Sequence, residues 1–182
     1  MKRFLFLVLP VLVAMPCHAQ LNYPPTKTVD ASDTYFDIRN NSLATHGVVI
    51  AFAHVRGGGE KGEAWYKAGY KTTKPNTWKD FISCADYLVK KGFTSPRKLA
   101  GTGTSAGGIL ISRAITKRPD LFAAAVCNVG CANAMRMEFS PNGAVNTPEF
   151  GTVKDPVECQ ALFEMDGVQH VQISIRGQSR LL

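Results

Sequence analysis

The apolar positions of this chain fall into a few runs separated by polar, turn-rich stretches, and the runs differ in period. Val48-Val49-Ile50-Ala51-Phe52-Ala53 is a continuous apolar block. A run that short, with no polar alternation, predicts a strand covered on both faces, as in a parallel sheet. From Thr77 to Lys90 the period changes, and Trp78, Phe81, Ile82, Ala85, Leu88 and Val89 recur at spacings of three and four. That spacing puts them along one side of a helix, with Gly92 as its stop. Arg97 to Thr102 reads as a weak, glycine-rich strand, and Ala106 to Lys117 as a second helix that ends before Pro119. Leu121 to Val129 is a third apolar run, bounded by Asp120 and Gly130. The order strand, helix, strand, helix, strand predicts right-handed crossovers and an α/β fold, a parallel sheet with helices on both faces.

The flanking stretches read differently. Residues 1–19 have the form of a secretory signal: Lys2 and Arg3, an apolar run from Phe4 to Met15, then Cys17-His18-Ala19 before Gln20. The run is short and interrupted by Pro10 for a membrane span, so the expected product is exported, periplasmic or secreted, with no membrane association after signal removal. Residues 20–45 are polar and rich in turn formers (Pro24-Pro25, Asp30, Ser32, Asp33, Asn40, Asn41) and read as an arm or linker. Between 132 and 170 turn signals alternate with short helical pieces, Pro156 to Glu164 being the clearest.

Composition narrows the partners. At 182 residues, 45% apolar and 19% charged, the chain is sized for one globular domain. Its net charge of +7 comes in short clusters such as Lys90-Lys91 and Lys117-Arg118. No basic stripe or aromatic interleaving accompanies them, so no nucleic-acid partner is expected. Cys84, Cys127, Cys131 and Cys159 remain once the signal is removed, and an exported location permits a disulfide. Cys127 and Cys131 lack the two-residue spacing of a redox or zinc motif and are expected to be small buried residues beside a strand end.

The candidate chemistry lies in Gly103-Thr104-Ser105-Ala106-Gly107-Gly108, between the second strand and the second helix. This is the Gly-x-Ser-x-Gly pattern of the nucleophile turn in α/β-hydrolases. Small flanking residues let the chain bend sharply, so that the Ser105 hydroxyl projects from the end of a strand. The N–H of Ala106, at the positive end of the following helix, would then face a developing oxyanion. Arg56-Gly57-Gly58-Gly59-Glu60 has neither the ending of a P-loop nor a dinucleotide fingerprint. No cofactor or metal is implied, because serine acyl transfer needs none.

Several stretches around this turn resemble, in order, the catalytic domain of the prolyl oligopeptidase family. They are Ala53-His54-Val55-Arg56-Gly57-Gly58-Gly59-Glu60, Trp65-Tyr66-Lys67-Ala68-Gly69, Asp80-Phe81, Tyr87-Leu88, Gly92-Phe93-Thr94-Ser95-Pro96 and Arg118-Pro119-Asp120-Leu121-Phe122. Tyr23-Pro24-Pro25-Thr26 resembles the start of such enzymes. The resemblance implies an α/β-hydrolase domain capped by a β-propeller, with hydrolysis of peptide bonds in short peptides, often after proline. Carried over by position, the nucleophile is Ser105, Ala106 gives one oxyanion N–H, and Arg56 and Glu60 are structural. The substrate class is peptide. Residues 46–170 are then a partial catalytic domain and 171–182 a divergent carboxyl-terminal tail, the propeller having no counterpart here. The tryptophan that the family places near Val145-Asn146-Thr147-Pro148 to stack on proline has no equivalent in that stretch.

A base for Ser105 is harder to find. His18 belongs to the signal, His46 to the arm, and His54 precedes the glycine loop. His170 alone follows the serine, with Asp155 and Asp166 as candidate orienting acids. Asp166 and His170 are only four positions apart, too close for the usual placement on loops after successive late strands. The acid and histidine of such enzymes fall after this point in their order, so the chain is expected to lack them. Two alternatives stay open beside a serine peptidase: a non-catalytic truncated remnant, and a small esterase-type hydrolase.

Overall fold

The computed structural model describes residues 5–8, 20–22, 46 and 48–171. The rest of the predicted signal, residues 23–45 of the arm and the tail from 172 lie outside the described residues. Five strands form one sheet: β1 (Leu5–Val8), β2 (Gln20–Asn22), β3 (Val49–Phe52), β4 (Leu99–Thr104) and β5 (Ala124–Asn128), in the order β2-β3-β1-β4-β5. All neighbours run parallel except β2, which pairs antiparallel with β3. Six α-helices are described: α1 (Glu63–Lys67), α2 (Pro75–Lys90), α3 (Gly107–Lys117), α4 (Ala134–Met137), α5 (Thr147–Phe150) and α6 (Pro156–Met165). The expected parallel sheet with helices is what the chain forms.

The three predicted strands and the helices at 77–90, 106–117 and 156–164 are present, with no end shifted by more than three residues. The shift at α2 has a local cause. Pro75 occupies the first turn, where its fixed φ suits a helix and its missing N–H costs nothing. Of the predicted stripe, Trp78, Phe81, Ala85 and Leu88 are buried and Ile82 and Val89 half-buried, and Cys84 is buried beside them.

The core forms where α2 and α3 meet the sheet. Phe81, Leu88, Leu99, Ile109, Leu110, Ile111, Leu121, Leu162 and Met165 are fully enclosed, and Phe81 stacks on Phe122 at 5.8 Å between centroids. Gly101 of β4 makes this approach possible, since a Cβ there would sit 2.6 Å from Ile111 Cδ1 and 3.4 Å from Phe81 Cζ. Arg113 of α3 lies under the Trp78 ring at 5.3 Å and donates to the Glu164 carbonyl at 2.6 Å. Burial depresses its pKa, against the carboxylates of Glu164 and Asp166.

A polar network joins the α1–α2 corner to α5 and α6. Tyr66 donates to Glu149 and Tyr70 to the Pro148 carbonyl, while Lys71 meets Glu158 at 2.5 Å. The amine of Lys74 is buried 3.8 Å from Glu149 and over the Phe150 ring, and desolvation lowers its pKa.

β5 differs from the other strands. Ala124, Ala125, Val126 and Cys127 are all exposed, Val126 by 41%, although the segment is as apolar as a doubly covered strand. Cys127 therefore corrects the expectation of a buried thiol: it lies next to last in a strand whose faces are open, while Cys131 is half-buried. Cys127, Cys131 and Cys159 are free thiols. Crowding by apolar neighbours, then the nearby Cys127 thiol, raises the pKa of Cys131.

Candidate active site

The serine turn is built by two close backbone approaches. A Cβ at Gly103 would lie 2.1 Å from the carbonyl oxygen of Gly107, and one at Gly108 would lie 2.4 Å from Gly130 Cα and 2.8 Å from Cys131 N. Only hydrogen fits in either place, which is why glycine stands on both sides of the serine. Between them Ser105 takes φ 55, a left-handed conformation that costs a non-glycine residue energy. The strain carries Ser105 to an exposed position just past the end of β4, with Ala106 half-buried as the residue that opens α3.

What holds that conformation is the end of β5 and the residues just beyond it. The Ser105 N–H donates to the Asn128 carbonyl at 3.0 Å, and the Ser105 carbonyl accepts from Gly108 N–H at 2.8 Å and Cys131 N–H at 3.2 Å. Val129, between these partners, has φ 41 and is 85% exposed. A β-branched residue at positive φ is a second strained position, so the turn and its clasp are both distorted where they touch. Sequence reasoning named Ser105 and Ala106 but missed the Asn128–Cys131 clasp. Gly130, closing an apolar run, was its only local sign.

The groups considered as acid and base have other partners. His170, in a short 3-10 turn (Val168–His170), is bonded through Nδ1 to the backbone carbonyl of Asp166 at 2.8 Å, with its ring against Phe163 at 5.0 Å. The Asp166 carboxylate is 0% exposed and accepts from Met135 N–H at 2.9 Å and Gln169 N–H at 3.0 Å. Asp155 caps α6, accepting from Val157 and Glu158 N–H at 2.9 Å each. The structure brings Asp166 and His170 together through a main-chain oxygen rather than the carboxylate. His54 Nδ1 lies 3.7 Å from Glu60 Oε1, both side chains largely enclosed at 11% and 4% exposure. His46 is exposed.

Arg56 has the structural part expected of it. Its Nε and Nη2 meet the two Asp80 oxygens at 2.8 and 2.6 Å, and its own N–H donates to Asp80 Oδ2 at 3.0 Å. This bidentate bond to Asp80 raises its pKa and pins the loop after β3 to α2. A surface groove of about 420 Å³ lies between the Lys71–Thr73 turn and α6, lined by Thr72, Pro156, Val157 and Gln160 among others. None of its lining residues belongs to the serine turn.

Comparison with known proteins agrees with this architecture. The sequence profile of the prolyl oligopeptidase family matches residues 34–180. A prolyl endopeptidase of Dictyostelium discoideum is 36% identical over 137 residues, which are 75% of this chain and 18% of that protein. A dual function macrocyclase-peptidase of Galerina marginata is 37% identical over 131 residues, 71% of this chain and 18% of that protein. Among solved structures, one from a study of two prolyl endopeptidases superposes with a TM-score of 0.79 at 31% identity, covering 94% of this chain and 23% of its own. The chain thus spans about a fifth of the length of the proteins it is similar to.

Proposed function

The chain belongs to the prolyl oligopeptidase family, and from that premise we propose that it carries the nucleophile turn of a serine peptidase, with Ser105 as the attacking residue. The observation that carries this reading is the strained, exposed Ser105 at the end of β4 and start of α3. In the proposed reaction Ser105 Oγ adds to the carbonyl carbon of a peptide bond. Negative charge gathers on the former carbonyl oxygen, facing the Ala106 N–H and the amino-terminal end of α3. Collapse expels the amine and leaves an acyl-serine that water hydrolyses.

A base must accept the Ser105 proton, and an acid must orient that base. His170, Asp166 and Asp155 are occupied as helix and turn partners, so the reading does not assign them these parts. Residual rate from a positioned nucleophile and oxyanion donor lies several powers of ten below that of a complete triad. The open β5 face favours a second reading, a chain that keeps the turn without turnover.

Labelling with a fluorophosphonate, followed by intact mass, separates the two. The peptidase reading expects one label at Ser105, absent from Ser105→Ala. A folded chain that takes no label, or a label that persists in Ser105→Ala, refutes it.

A further inference from the structure

Leu5–Val8 lies inside the stretch whose composition reads as an export signal, yet it forms the middle strand of the sheet. It pairs in parallel with β3 on one side (Leu5 with Val49, Phe6 with Ile50, Leu7 with Ala51, Val8 with Phe52). On the other side it pairs in parallel with β4 (Leu5 with Leu99, Phe6 with Ala100, Leu7 with Gly101, Val8 with Thr102). We propose that this segment is an obligatory structural strand, so that the chain folds only while its amino-terminal apolar run remains attached. Removal of residues 1–19 and completion of the sheet are then alternative fates of one molecule.

Adjacent strands lie about 4.8 Å apart, so β3 and β4, with one strand between them, stand roughly 10 Å apart. At that distance neither can hydrogen-bond the other. Without β1 the order β2-β3-β1-β4-β5 becomes two separate pairs, and the facing edges of β3 and β4 lose their partners. Those edges sit in the core: Ala51 and Leu99 are 0% exposed, and both belong to the cluster that holds Phe81, Ile109 and Ile111. Water cannot easily replace the lost bonds there, and buried backbone groups seldom go unpaired.

One sequence can serve both fates because they ask for the same chemistry. An export signal needs a short, uncharged apolar run, and so does a parallel strand in the middle of a sheet. Phe4 to Val8 satisfies both descriptions. The consequence reaches the candidate active site, since β4 runs directly into Ser105.

Amide hydrogen exchange on the full chain tests this independently of any reaction at Ser105. Peptides covering residues 5–8 are expected to exchange as slowly as those covering 49–52 and 99–104. Leu7→Pro, which removes a donor from the ladder, is expected to speed exchange in β3 and β4 at least 100-fold, while Leu7→Val leaves both unchanged. Exchange of residues 5–8 at the rate of unstructured backbone, beside protected 49–52 and 99–104, overturns the proposal. So does a chain beginning at Gln20 whose β3 and β4 amides are as protected as in the full chain. Loss of labelling at Ser105 with these protection patterns intact would count against the peptidase reading alone.

Discussion

Asp166 was one of two candidate acids for the base, and its surroundings predict a structural part that can be measured. Its two carboxylate oxygens each accept one backbone N–H, from Met135 in α4 and Gln169 in the turn that carries His170. A hydrogen bond to a charged acceptor is worth about 1.5–3 kcal/mol, and a buried donor left unpaired forfeits a similar amount. Asp166→Ala removes both acceptors, for an expected loss of about 3–6 kcal/mol. Asp166→Asn keeps one oxygen and turns an NH2 toward the other amide, for about half that loss. In a chain of this size each kcal/mol moves the melting midpoint by roughly 2–4 °C. The two variants should therefore separate clearly in thermal or urea unfolding, with Asn between the parent and Ala. Per folded molecule, the rate of fluorophosphonate labelling at Ser105 should stay unchanged in both. An Asn variant as stable as the parent would refute the two-amide account. A labelling rate that collapses in folded Asp166→Asn would instead make Asp166 the orienting acid.

Gly103→Ala places a methyl 2.1 Å from the Gly107 carbonyl, so the start of α3 must move; labelling should slow at least tenfold while the far-ultraviolet dichroism keeps its helical signal. Acid should destabilise the fold through Glu158, bonded first to Lys71, and Glu138, bonded first to Thr152, both held below the ordinary value of 4.5. A carboxylate whose folded pKa is depressed contributes stability above its unfolded value and loses it as pH falls through the folded one. Urea midpoints should be flat above about pH 5 and fall below about pH 4.5, with a shallower fall in Glu158→Gln.

The legible parts of the fold were those whose burial pattern leaves a period. The α2 stripe had one, the β3 block stood out instead as an unbroken apolar run, and the glycines around Ser105 marked a close approach that the structure places at Gly107, Gly130 and Cys131. α1 left no trace because none of its five residues is buried, so no apolar face exists to be read. Cys127 was misjudged for the opposite reason: its strand is apolar, but apolar composition promises burial only if something covers it. β1 shows a different limit. A signal-like run and a central strand share one composition, and only pairing partners distant in sequence tell them apart. The acids failed to declare themselves for a related reason, because a carboxylate that caps a turn and one that orients a base look alike until their donors are known.

The clasp on Ser105 bears on attempts to move this turn elsewhere. Six residues from Gly103 to Gly108 look like a portable cassette, but the Ser105 N–H and carbonyl are both anchored to residues later in the chain, Asn128 at the end of β5 and Cys131 just beyond it. A transplant carrying the six residues alone would leave Ser105 free to relax out of φ 55, and the hydroxyl would turn with it. The transferable unit is the turn together with residues 128–131, and a host sheet must offer both at matching heights.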